Sequence, residues 1–232
     1  MLDQNKKSIF KLFKALSKIF PYTENKELHL ISGWVSLKEG KMSSRKGNIV
    51  KGEWLLNEAK KRIKKNFKEV SNEIAEKIAV SAVKYSFLKN GPSTDMVFDI
   101  EKSISLQGNS GPYLQYAYVR AKSVLDKSGI KIKELEKIKD FEFNKEQEIS
   151  LVRWLIIFPD IVNRAAVKYA PNLIANYLFE LAQKFNNFYE SSPVLKAENE
   201  ELKKTRLVLV VSVIQVIKNG LNLLGISAPE KM

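Results

Sequence analysis

From Ile74 through Ile78, Ala82 and Tyr85, apolar side chains recur every three or four residues, the spacing that gathers them on one face of an α-helix. The pattern breaks at "KNGPSTD", where Asn-Gly-Pro favours a turn. Gly111-Pro112 reads as a second helix start, because proline in the first turn loses no needed hydrogen bond and its φ is already helical. That helix is expected to stop at Gly129 in a left-handed cap. Further helices are predicted near 146–158, 160–169, 172–190 and 200–219, with Pro159 and Pro171 in first-turn positions and Asn219-Gly220 as the last stop. The segment 207–217 is rich in Val and Ile, which favours strand, but it runs longer than one strand and is apolar all round, so it reads as the central helix of a bundle. Residues 131–148 carry few large apolar groups and many charges, the mark of an exposed connection or a solvated helix.

Only residues 27–37, "ELHLISGWVSL", read as a strand; everything after about residue 52 reads as helix. Near the start, Ile9, Leu12, Phe13, Leu16, Ile19 and Phe20 share a helical face broken by Lys11, Lys14 and Lys18. This predicts a core-facing amphipathic helix, with a membrane-surface helix as the alternative.

Composition narrows the chemistry. The 232 residues are 44% hydrophobic, enough for sizeable cores, and carry a formal net charge of +13. The positive excess is larger in residues 1–110 than in 111–232 and attracts polyanions such as nucleic acid. With no cysteine, disulfides and thiolate metal sites are excluded, and the single His29 makes a zinc site or a nucleophile–histidine relay implausible. Chemistry would have to come from carboxylates or from lysine and arginine acting electrostatically. The 207–217 run falls short of the roughly 20 residues that span a bilayer, so a cytoplasmic protein without membrane attachment is expected.

Glycines flank a run of positive charge and serine in "GKMSSRKG", residues 40–47. It is not a Walker loop: six residues, not four, lie between Gly33 and Gly40, and Met42, not Ser or Thr, follows Lys41. On composition it is either a solvated linker or a loop that closes over an anion.

Lys41-Met42-Ser43-Ser44-Arg45 looks like the Lys-Met-Ser-Lys-Ser signature of class I aminoacyl-tRNA synthetases, and "GWVSLKEGKMSSRKGNIV" is similar in particular to the arginyl-tRNA synthetases. Residues 97–125, "VFDIEKSISLQGNSGPYLQYAYVRAKSVL", and the ending "LNLLGISAPEKM" resemble the same family, and "YAPNLIANYLFELAQKFNNFYESSPVL" resembles its helical anticodon-binding domain. The resemblance implies a mainly α protein. Residues 1–110 would be the C-terminal remnant of a Rossmann-type catalytic domain, and 111–232 an all-α anticodon-binding bundle of the DALR type. It implies the ATP-dependent attachment of arginine to its tRNA, with Mg²⁺ accompanying ATP. Lys41, Ser43, Ser44 and Lys46 would serve catalysis, and Lys41, Met42 and Ser43 would contact ATP. Ser44 stands where the signature has its second lysine. The His-Ile-Gly-His motif and the arginine pocket have no counterpart here, so the chain is expected to bind tRNA but not to activate arginine alone. The alternatives are a free-standing RNA-binding module and, less in keeping with "GNSGPYLQYAYVR", a cysteinyl enzyme.

Rings and cations together suit unpaired RNA, because bases stack on aromatics and phosphates pair with guanidinium groups. Tyr113, Gln115, Tyr116 and Arg120 supply both on one helix; Arg153, Arg164, Lys168, Tyr169, Asn176 and Tyr177 are further candidates, as is the terminal Met232. Trp154, Leu178, Leu181 and Phe185 are expected in the core, Phe188 and Tyr189 in either place, and Tyr118 has no assigned role. A monomer is expected.

Overall fold

A computed structural model of the chain describes residues 2–20, 30–38, 51–67 and 70–232. Among the described residues the protein is mainly α-helical, with one small sheet. Helix α1 (Leu2–Ile19) precedes strand β1 (Val35–Leu37); then come α2 (Gly52–Asn66), α3 (Asn72–Leu88), strand β2 (Met96–Phe98) and the short α4 (Ile100–Ser103). The remainder is α5 (Gly111–Ser128), the short α6 (Ile132–Leu135), α7 (Glu146–Ile156), α8 (Phe158–Lys168), α9 (Asn172–Ser191) and α10 (Glu200–Leu223).

Two apolar cores organise these elements. The smaller joins α2 and α3 through Ala59, Ile63, Ala75, Ile78, Ala79 and Ala82, closed by Ile104. The larger fills the bundle of α5, α7, α9 and α10 with Leu114, Leu151, Leu178, Leu181, Phe185, Phe188, Val210, Val213 and Ile217. Helix α3 packs on both α2 and α5 and so bridges them. Tyr85 makes the bridge polar as well as apolar: its buried hydroxyl lies 2.5 Å from Asn109 Oδ1 and 2.9 Å from the Ala175 carbonyl on α9.

Helix starts follow side-chain chemistry. Ser71, Ser110 and Asn199 each accept the backbone N–H three residues on, capping α3, α5 and α10. Helix α5 ends at Gly129 in the left-handed region, as its sequence predicts. Helix α10 does not stop at Gly220. A Cβ there would lie 2.6 Å from Leu178 Cδ2, so glycine serves the close approach of α9, and the helix ends where Gly225 takes φ 64°. By length and composition α10 could cross a membrane, but here Leu207, Val210, Val213, Ile217 and Leu221 are buried in the bundle.

Three expectations are corrected. Residues 96–98 are strand, not helix or turn: β2 pairs in parallel with β1, Ser36 opposite Val97. Three residues are too few to show a period, and the pairing spans about sixty residues of chain. The strand expected over 27–37 is confined to 35–37 among the described residues. In α1, Leu12 and Ile19 are exposed, so this face enters neither core among the described residues.

The bundle is cross-tied by an ion pair taken wholly out of water. Arg206 Nε on α10 donates to Glu148 Oε1 at 2.7 Å, with the two side chains 3% and 0% exposed. Glu148 Oε2 accepts the backbone N–H of Asn144 at 2.8 Å and of Lys145 at 3.2 Å, capping α7. Arg206 Nη1 donates to the Pro193 carbonyl at 2.9 Å. Removing one member of such a pair strands the other, at a cost of about 3–5 kcal/mol. Arg206→Met is expected to lose about that much in urea unfolding, and Glu148→Gln added to it to recover part, since no buried charge is then left alone.

Candidate nucleic-acid interface

One face of the bundle brings together rings, amides and a guanidinium. Helix α5 presents Tyr113, Tyr116 and Arg120, spaced so that they follow one another up one side. Helix α9 answers with Asn176, Gln183, Asn186, Asn187 and Tyr189. Arg120 Nη1 donates to Asn186 Oδ1 at 2.8 Å and Nη2 to the Tyr116 hydroxyl at 2.9 Å, while Asn186 Nδ2 donates to the Tyr113 hydroxyl at 2.8 Å. The guanidinium carbon lies 4.7 Å from the Tyr116 ring centre and 5.6 Å from that of Tyr189. Arg120 is therefore held between two rings, with guanidinium N–H groups left over from these two bonds.

Beside this network lies an open cleft of about 770 Å³ lined by Asn109, Tyr113, Asn176, Phe179, Gln183 and Asn187, among others. Phe179 packs at a tilt on Tyr113, their ring centres 5.6 Å apart. The lining has one cation, Lys184, and one carboxylate, Glu180. Lys184 donates to Ser150 Oγ at 3.0 Å and lies 5.2 Å from the Trp154 ring centre. A cleft rich in uncharged amides offers paired donors and acceptors, the complement of base edges more than of phosphates. The amides recur at 176, 183 and 187, with Glu180 between, a helical polar stripe that sequence reasoning passed over except at Asn176.

The other candidates are dispersed. Gln115 is buried, its Nε2 donating to the Ser227 carbonyl at 2.7 Å. Tyr177 is buried too: its hydroxyl donates to the Trp154 carbonyl at 3.0 Å, its ring stacks on that indole, and Trp154 Nε1 donates back to the Tyr177 carbonyl at 3.2 Å. Neither side chain lies where RNA could reach it; amphipathic spacing cannot tell a polar group bonded inside from one exposed. Arg153, Arg164, Lys168 and Tyr169 are exposed on α7, on α8 and at its C-terminal end, apart from the cleft lining, with Arg153 3.5 Å from Glu146. Met232 is partly buried against the α2–α3 core. Lys41, Met42, Ser43, Ser44 and Lys46 lie outside the described residues.

A family profile for the DALR anticodon binding domain matches residues 114–232. The arginine–tRNA ligase of Halothermothrix orenii is 37% identical over 212 residues, covering 88% of this chain and 37% of the relative. That of Fusobacterium nucleatum is 35% identical over 240 residues, covering all of this chain and 42% of the relative. Among solved structures, the arginyl-tRNA synthetase of Thermus thermophilus superposes with a TM-score of 0.76 at 31% identity, over 87% of this chain and 35% of the other. The Plasmodium falciparum enzyme gives 0.71 at 28%, over 87% and 34%. The chain thus spans well under half the length of these relatives.

Burial pushes the phenols of Tyr85 and Tyr177 well above the ordinary tyrosine range, and those of Tyr113 and Tyr118 upward as well. The unfolded chain releases phenolic protons near pH ~10 while the folded chain keeps them. Their contribution to stability is therefore full below pH ~10 and is lost as pH rises through the folded values. Unfolding measured across pH 8–11 is expected to show stability falling at the alkaline end, with a shallower fall in Tyr85→Phe and Tyr177→Phe.

Proposed function

The chain belongs to the DALR anticodon binding domain family, and from that premise we propose that its α5–α9 face holds the unpaired anticodon loop of an arginine-accepting tRNA. The observation that carries this reading is the Arg120 network beside the amide cleft, nearly all of it inside the matched region. Tyr116 and Tyr189 offer ring faces to splayed bases, the cleft amides meet their edges, and Arg120 keeps the rings and Asn186 in place while adding positive charge. Arg153, Lys168 and Tyr169 would contact the RNA backbone from the α7–α8 surface, and Met232 would act from the tail. Gln115 and Tyr177 support the face from inside.

The wider activity is part of the same proposal. Residues 1–110 would be the end of a catalytic domain and 111–232 the RNA-holding bundle of an ATP-dependent arginine–tRNA ligase, monomeric and cytoplasmic. Lys41 and Lys46 would meet the charge that builds on the phosphates of ATP as pyrophosphate leaves, a task for fixed cations that needs no proton transfer, with Ser43 and Ser44 small enough to let backbone N–H groups approach. Lys41, Met42 and Ser43 would touch ATP itself. Magnesium would come with ATP; among the described residues no cluster of His, Asp and Glu is built to hold it.

The test is binding of an anticodon stem-loop by the purified chain. Tyr116→Ala and Tyr189→Ala are each expected to cost about 1–3 kcal/mol, the usual worth of one stacked base. Arg153→Ala and Lys168→Ala should weaken binding to all sequences alike and flatten its salt dependence by about 0.7–0.9 log units per decade for each phosphate left without its cation. Affinity indifferent to both rings and to salt would overturn the reading.

A further inference from the structure

Asn109, which lines the amide cleft, also anchors a lysine that faces a second hollow. Lys89 Nζ, at the C-terminal end of α3, donates to the Asn109 carbonyl at 2.7 Å. With Lys102 of α4 it lines a notch of about 250 Å³, whose other polar walls include Asn90, Asp95 and Asp99. Lys89 is partly buried, and the Asn109 carbonyl takes one of its three N–H donors. Lys102 is exposed. Among the described residues neither ammonium forms an ion pair, and the Lys102 side chain has no hydrogen-bond partner.

The two carboxylates of the notch are engaged elsewhere. Asp95 Oδ1 accepts the backbone N–H of Trp34 at 2.7 Å. Asp99 Oδ1 accepts that of Lys102 at 3.2 Å, capping α4, and Asp99 Oδ2 lies 3.6 Å from Lys38 Nζ. With Lys38 included, three ammonium groups meet two carboxylates here, and the surplus charge falls on Lys89 and Lys102. Burial first, and then the charge of Lys102, hold the Lys89 ammonium below the ordinary lysine range. A helix C-terminus favours a lysine, which accounts for Lys89 on α3 but not for a second cation facing it. Two like charges, one of them partly withdrawn from water, are relieved by an anion placed between them.

We propose that the Lys89–Lys102 notch binds a phosphate group, and that this group belongs to the backbone of the RNA strand whose unpaired bases occupy the amide cleft. Asn109 joins the two sites: its side chain lines the cleft, and its carbonyl orients Lys89 toward the notch. Contacts of this kind fix the register of a strand without reading its sequence. The amides of α9 then meet particular bases because the backbone beside them is pinned. The inference rests on the α5–α9 reading, and the variants below separate the failure of one from the failure of the other.

The experiment measures binding of an anticodon stem-loop by the full chain across a range of salt concentrations. Lys89→Gln with Lys102→Gln is expected to weaken binding about tenfold for every loop sequence, the worth of one charged hydrogen bond. The same variant should flatten the salt dependence by about 0.7–0.9 log units per decade, one phosphate's share. Lys89→Arg with Lys102→Arg should keep both. Lys102→Gln alone removes a side chain with no partner among the described residues, so it should leave the fold intact and still weaken binding. Inorganic phosphate titrated into the chain alone should move the NMR signals of the Lys89 and Lys102 side chains. Binding that responds to Tyr116→Ala but not to the lysine variants would overturn this proposal and leave the α5–α9 reading standing; the opposite pattern would overturn that reading and leave the notch. Phosphate that moves both lysine signals while the stem-loop ignores their loss would make the notch a site for free phosphate and overturn its assignment to RNA. A chain that binds no stem-loop would overturn both.

Discussion

Glu148 and Arg206 face each other where no water reaches, and the bundle is arranged so that neither is ever without a partner. Taking two charges out of water costs several kcal/mol for each, and their attraction offsets this only if the remaining donors and acceptors are also met. They are met by the N–H groups that open α7 and by the Pro193 carbonyl in the α9–α10 connection. The pair therefore fixes three segments at once: the start of α7, the turn after α9, and the rotation of α10 about its axis. Apolar packing alone would tolerate a rotated α10, since its Val and Ile residues lie on all sides; a buried guanidinium with one acceptor set does not. Helix α9, enclosed by α5, α7 and α10, is thereby held with its amide stripe outward.

The C-terminal segment carries this order across to the smaller core. Lys84 on α3 donates to the Gly225 carbonyl at 2.6 Å, Gln115 donates to that of Ser227, Lys122 pairs with Glu230, and Met232 rests on the α2–α3 helices. Last in sequence, these residues tie together the two regions that the proposed function assigns to RNA holding and to chemistry.

Much of this is legible in the sequence itself. Helices α3, α5, α7, α8 and α9 announce themselves by period and by proline and glycine punctuation, and Trp154, Leu178, Leu181 and Phe185 fall in or against the core as their spacing implies. What failed did so for physical reasons. Glu148 and Arg206 have the side chains of a solvated face, and only the fold, joining positions 58 residues apart, turns them into an interior pair. Gly220 looks like a stop because glycine usually is one, yet its lack of a side chain serves contact with Leu178. At the candidate site, Tyr113, Tyr116, Arg120 and Asn176 are visible as ring-and-cation spacing. The partners that make them a unit, Asn186 and Tyr189, lie about seventy residues further on. Gln115 and Tyr177 lie inside because each meets a backbone carbonyl that sequence cannot locate.

On the proposed reading, a bundle cross-tied by a buried ion pair offers its α5–α9 face to unpaired RNA. Hydrogen–deuterium exchange of the chain with and without an anticodon stem-loop distinguishes this face from the rest of the surface. Added protection is expected at residues 113–120 and 176–190, with the 136–145 connection unchanged; protection confined to other segments, or none at saturating RNA, would overturn this reading.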